Sequence, residues 1–185
     1  MPIKLAGNLT SRGNSPAGDK CPIDRAMQVV GSRSTMLLMR EAYYGTTRFD
    51  TFAARSGMTE AVTAKRLREL VEAGLLSRQP YREPGQRTRH EYVLTESGRD
   101  LLPAVIALGQ WGNKHLPREG SPWLSHDECD ARVQVELRCA NGHVTDVDHL
   151  VLTSWRHRRT RAPSERHHGE RNEAPDRGGQ CDTAS

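Results

Sequence analysis

Apolar residues along the first two thirds of the chain recur at three- and four-residue spacing, broken by glycine and serine, and this rhythm predicts a series of short helices. Behind Cys21-Pro22, the residues Ile23, Ala26, Met27 and Val30 share one face, with Pro22 suited to a first helical position and Gly31 as the stop. Ser32 or Ser34 caps a second helix through Met36-Leu37-Leu38-Met39 and Ala42-Tyr43, broad enough in its apolar surface to be the buried centre of a small helical unit. Gly45 ends it. A short third helix starts at Thr46 or Thr47 and carries Phe49, Phe52 and Ala53, and Ser56-Gly57-Met58 makes a tight turn before a fourth.

The fourth helix, TEAVTAKRLRELVEAG from Thr59, is two-sided. Thr59 is its cap; Thr63, Leu67, Leu70 and, at the end, Gly74 lie on one face, and Ala61, Ala64, Lys65 and Arg68 on the other. Small residues beside two cations let a helix approach base edges and reach phosphate. The competing reading is an ordinary amphipathic surface helix with solvated charges.

Period-two patterning then replaces the helical one. Leu75-Leu76-Ser77-Arg78 and Tyr92-Val93-Leu94 predict two strands joined by a loop that bends at Pro84-Gly85, and Arg82, Arg87 and Arg89 make that loop basic against Glu83 and Glu91. Such a hairpin can lie along a phosphate backbone or enter a minor groove; the plain alternative is a solvated hairpin. Thr95 caps a long last helix with an apolar stripe of Leu101, Leu102, Val105, Leu108 and Trp111, where Pro103 marks a kink. A small domain has little core for two terminal helices. Their stripes either join a second copy or pack within the chain.

The whole is mainly α with a small β-hairpin wing, an α+β winged helix-turn-helix with a C-terminal extension. Residues 1–19, rich in Gly, Pro, Asn and Ser, predict a flexible arm; residues 20–116 form the domain, 117–154 a small extension, and 155–185, almost without apolar residues, a disordered tail. The 27 Lys and Arg against 23 Asp and Glu of the 185 residues give a net charge of only +4. Position matters more than total: from Lys20 to Leu116 there are 15 basic and 10 acidic residues, a net of +5, so the domain carries the positive field expected of a polyanion's partner.

Composition and motifs also exclude several classes. No apolar run approaches the roughly 18 residues that read as a membrane span, and the first residues lack the apolar stretch of a secretory signal, so a cytoplasmic location is expected. There is no glycine loop after a strand, no nucleophile elbow and no HExxH-type metal motif, which argues against an enzyme. Four cysteines, widely spaced, suit reduced thiols or metal ligands rather than a disulfide framework. His126 with Cys129, and Cys139 with His143, supply two imidazoles and two thiols, the donor types of a tetrahedral zinc site. Their spacing is only partly that of a knuckle. A plain hairpin around Val133 to Leu137 with incidental cysteines is the alternative.

The segment from Cys21 to Leu116 resembles the HxlR-type winged-helix regulators of bacteria. The resemblance is carried by Cys21-Pro22 with Ala26 and Gly31, Leu37-Leu38 with Arg40-Glu41, Arg48-Phe49, and Leu67-Arg68-Glu69-Leu70 followed by Gly74-Leu75. Glu91-Tyr92, Leu94-Thr95, Gly98 and Trp111-Gly112 complete it. It implies a homodimer joined through the first helix and the 95–112 helix, binding double-stranded DNA at an operator of two half-sites as repressor or activator. Ser34 and Thr63 stand where the family usually has Trp and a large apolar residue, which predicts a looser core. Some members of the family sense oxidants or electrophiles through a cysteine at the place of Cys21, where a helix N-terminus favours the thiolate; a packed or capping cysteine is the alternative. A protein or RNA interaction adaptor using the same winged-helix surface is the rival function.

Overall fold

The computed structural model describes residues 3–11, 13–14, 18–82, 84–85 and 87–153. Four helices come first: α1 (Pro22–Val30), α2 (Arg33–Tyr43), α3 (Phe49–Ser56) and α4 (Glu60–Glu72). Their ends follow local chemistry. Pro22 occupies the first turn of α1, the Ser32 hydroxyl accepts from the Thr35 N–H at the start of α2, and the Thr59 hydroxyl accepts from the Val62 N–H at the start of α4. Gly57 closes α3 at φ 66°, a left-handed conformation that an L side chain rarely adopts, and so turns the chain sharply into α4.

Helices α2, α3 and α4 pack on one another around Leu38, Met39, Phe52, Leu67 and Leu70, all essentially without solvent exposure. Burial of each such side chain contributes roughly 1.5–3 kcal/mol. The fully buried Thr63 directs its hydroxyl to the Thr59 carbonyl at 3.0 Å, so the polar atom in the core is satisfied within its own helix. Half-buried Ser34 meets the Ser32 hydroxyl at 3.1 Å. The two small residues thus sit in hydrogen-bonded sites.

The wing is longer than its apolar pattern predicts. Strands β2 (Leu76–Tyr81) and β3 (Arg89–Leu94) pair antiparallel from Leu76 opposite Leu94 out to Tyr81 opposite Arg89. Leu75, expected in the strand, instead donates its N–H to the Leu70 carbonyl at 2.9 Å and finishes the turn after α4. Thr47, one of the two expected starts of α3, and Arg48 after it are drawn into the sheet: Tyr92 N–H donates to the Thr47 carbonyl at 2.8 Å, and Arg48 bridges Glu91. Phe52 meets the edge of Tyr92 at 6.1 Å, which ties the helical core to the wing.

The predicted long last helix divides at Leu101 into α5 (Glu96–Asp100) and α6 (Leu102–His115), with Pro103 in the first turn of α6. Thr95 caps α5 as expected, accepting from Gly98 N–H at 3.0 Å, and its hydroxyl also donates to the Gly74 carbonyl at 2.6 Å. Tyr43 of α2 donates to the Gly98 carbonyl at 2.6 Å, and burial pushes its phenol pKa up.

Beyond α6 the chain turns back along it. Residues 122–135 form a hairpin held by Val133 N–H to the Leu124 carbonyl (2.9 Å) and His126 N–H to the Ala131 carbonyl (2.9 Å). The expected strand at Val133 to Leu137 is reduced to β4 (Leu137–Arg138), which pairs with β5 (Val144–Thr145). Residues 1–19, read from composition as a flexible arm, include β1 (Lys4–Leu5), which pairs in parallel with β6 (Val151–Leu152). Backbone groups make that pairing, so the Gly-, Asn- and Ser-rich composition of the segment did not reveal it. The tail read from residue 155 onward lies outside the described residues.

Candidate nucleic-acid interface

Three buried residues orient α4. Thr63, Leu67 and Leu70 lie against α2 and α3, and at 100° per residue this places Ala61, Ala64, Lys65 and Arg68 together on the far side. Thr59, Ala61, Lys65 and Arg68 are exposed and Ala64 is half-buried. The surface read from spacing is therefore present as one patch. Lys65 stands 4.0 Å from Glu69, while Arg66 turns to the flank and is held by the same carboxylate at 2.6 Å. An exposed ion pair of this length stabilises little, roughly 0–1 kcal/mol, so Lys65 is not committed to it.

One residue was missed. Val62 is exposed on the same N-terminal half of α4, next to Ala61. An apolar residue outside the core stripe was the signal, and the cation-centred reading passed over it.

The wing lies beside this helix. Arg82 and Arg87 flank its tip and Arg89 opens β3, all three exposed. Two contacts brace its strands: the Arg48 guanidinium lies 3.2 Å from the Tyr81 ring centroid, at the tip end of β2, and Arg78 meets His90 Nδ1 at 3.1 Å across the hairpin.

Cys21 is the residue before α1, half-buried, and its thiol makes no capping hydrogen bond. Its backbone N–H donates to the Gly18 carbonyl at 3.0 Å. The nearby Arg25 guanidinium donates to the Asp19 carbonyl at 2.7 Å.

The zinc reading does not fit the arrangement of its residues. His126 and Cys129 are side by side, 3.6 Å between Nδ1 and Sγ, but Cys139 and His143 close a separate turn through a 3.0 Å backbone hydrogen bond. Among the described residues no three His, Cys, Asp or Glu side chains gather as a metal-holding group.

A capped helix presented beyond a tight turn, with a paired-strand wing beside it, defines a winged helix-turn-helix protein. Comparisons with known proteins agree and narrow the class. The HxlR-like helix-turn-helix family matches residues 29–120. An HTH-type transcriptional regulator of Mycobacterium tuberculosis is 44% identical over 121 residues, 64% of this chain and 75% of that protein. Among solved structures, the transcription factor PA1607 superposes with a TM-score of 0.63 at 31% identity, over 71% of this chain and 93% of its own. A transcription factor from Pseudomonas aeruginosa, PA1374, gives 0.54 at 33% identity, over 72% and 92%. The chain belongs to the HxlR-like helix-turn-helix family and is a helix-turn-helix transcriptional regulator. Among the described residues no helix is long and apolar enough to cross a membrane.

Proposed function

We propose that the protein binds a two-half-site operator as a homodimer, each copy placing α4 in a major groove and its wing on the neighbouring backbone. The observation that carries this is the single exposed patch of Ala61, Ala64, Lys65 and Arg68 on α4, backed by the buried Thr63, Leu67 and Leu70. Alanines at the contact face let the helix axis approach; Lys65 and Arg68 supply guanine or phosphate contacts, and the methyl groups of Val62 suit a thymine methyl. Arg82, Arg87 and Arg89 add sequence-independent attraction.

Two apolar surfaces supply the dimer contact. Ile23 and Met27 of α1 are 72% and 54% exposed, and Leu108 and Trp111 of α6 are each 55% exposed. A single copy leaves these four large side chains in water. Covering them with the same surfaces of a second copy is an isologous contact, and a two-half-site operator then requires the two copies of α4 to stand about one helical turn of DNA apart, roughly 34 Å. An oxidant or electrophile signal would enter at Cys21, beside this contact at the start of α1.

The test is titration of duplex DNA carrying the protein's own promoter region against a scrambled duplex, at several salt concentrations. Preference for one sequence together with a steep loss of affinity on raising salt is expected. Lys65→Ala and Arg68→Ala should each weaken specific binding by roughly 1–3 kcal/mol. Binding unchanged in both variants would reject this face of α4.

A further inference from the structure

On the side of α6 opposite Leu108 and Trp111, α2, α6 and the 122–135 hairpin border a cleft of about 470 Å³, inside the range of roughly 300–1,000 Å³ typical of small-molecule sites. At 100° per residue, Leu102, Val105, Ile106 and Gly109 lie on this side of α6, while Ala104, Leu108, Trp111 and His115 lie nearly opposite. The proposed dimer face and the cleft therefore do not compete for the same side of the helix.

The outer wall of the cleft is fixed in place. The Gln110 side-chain amide donates to the Val133 carbonyl at 2.8 Å, and its oxygen accepts from Val135 N–H at 3.1 Å. One turn further on, the Asn113 amide donates to the Pro122 carbonyl at 2.8 Å. Two side chains of α6 thus clamp both arms of the hairpin, yet between these clamps the wall stands off from the helix.

The lining is chemically lopsided. Tyr44, Trp123 and Leu124 are 58%, 61% and 45% exposed, and all three border this one cleft. Arg40, Lys114 and Arg132 line it too, and among the described residues no Asp or Glu does. Arg40 is already held by Glu41 at 2.6 Å, which leaves Lys114 and Arg132 to set the sign of the field. The Arg132 guanidinium lies over one face of the Trp123 ring, 4.3 Å from its centroid, so a cation and an aromatic group meet in the same wall.

We infer that this cleft is a binding site for a small planar aromatic carboxylate, its ring against Trp123, Tyr44 and the apolar side of α6 and its anion at Lys114 and Arg132. Gly109 provides a clean probe, because a Cβ added there meets nothing within 4 Å; Gly109→Leu fills the cleft from its floor without disturbing the helix. The direct binding measurement does not depend on the DNA-binding reading.

Calorimetric titration of the full chain with 1-naphthoate, and with neutral 1-naphthamide, tests the site. Saturable binding of naphthoate at one molecule per chain is expected, reduced by at least about tenfold in Gly109→Leu as the cleft closes. Lys114→Gln combined with Arg132→Gln should weaken naphthoate by about tenfold, the scale of a lost charged contact, and naphthamide by less than about twofold. The inference is overturned by absence of saturable naphthoate binding at millimolar ligand, by unchanged affinity in Gly109→Leu, or by equal losses for acid and amide in the charge variant. Affinity that falls steadily as protein concentration rises would assign the cleft to a second copy and would overturn it as well.

Discussion

The substitution Gly98→Ala tests the junction that fixes the wing and α5 onto the helical core. A Cβ at residue 98 would sit 2.1 Å from the Leu75 carbonyl oxygen and 3.2 Å from Leu94 Cδ2. An ordinary contact needs more than 3 Å, so α5 and the Leu75 backbone must separate by about 1 Å, in the range where overpacking costs roughly 1–3 kcal/mol. Leu75 cannot yield easily: its side chain is buried, its N–H is held by Leu70, and its carbonyl accepts from Thr95 N–H at 3.2 Å. If α5 moves instead, the 2.6 Å bond from Tyr43 to the Gly98 carbonyl is lost, about 0.5–1.5 kcal/mol more. The helical preference for alanine over glycine returns at most about 1 kcal/mol. A net destabilisation of about 2–3 kcal/mol is expected, and thermal unfolding followed by far-UV circular dichroism should show Tm lower by about 10 °C or more. Gly109→Ala is the matched control, since nothing lies within 4 Å of its added methyl; its Tm should stay level or rise. A Gly98→Ala protein melting within about 3 °C of the parent would refute the close-approach argument.

Three other outcomes follow from the same contacts. Trp111→Glu places a charge on an exposed α6 position outside the core, so sedimentation should show monomer with unchanged circular dichroism; a persistent dimer would move the interface elsewhere. Cys21→Ser should keep DNA affinity and steady the start of α1 by about 0.5–1 kcal/mol, because serine can accept the capping hydrogen bond that the thiol does not make. It should also abolish any change of DNA binding by peroxide or quinone, and a retained response would clear Cys21 of sensing. Thr63→Val exchanges a core hydroxyl for a methyl while the Thr59 carbonyl keeps the residue 63 N–H at 2.9 Å, so urea unfolding should report equal stability or a gain up to about 1 kcal/mol. A loss above that size would mean the hydroxyl is needed.

Where sequence reading succeeded, the signal and the structure it specifies lie within a few residues of each other. Thr59, Thr95 and Ser32 cap the helices that begin beside them, Gly57 takes the left-handed turn in its own tripeptide, and the stripe Thr63, Leu67, Leu70 turns inward because its members share a helical face. The four candidate zinc ligands do not gather among the described residues, for the complementary reason. Four residues of suitable chemistry were chosen by proximity along the chain, yet two independent hairpins hold them as separate pairs.

The amino-acid order by itself determined the helices, their caps, the two-sided character of α4 and the basic wing, since each depends on backbone periodicity and neighbouring side chains. Only the tertiary structure decided that residues 47–48 join the wing through Tyr92 and Glu91, that Lys4–Leu5 pairs with Val151–Leu152, and that Gln110 clamps Val133 and Val135 across the cleft. Those contacts join groups far apart along the chain, largely through backbone hydrogen bonds. A peptide N–H or carbonyl looks the same in every residue, so its distant partner leaves no mark on composition or spacing.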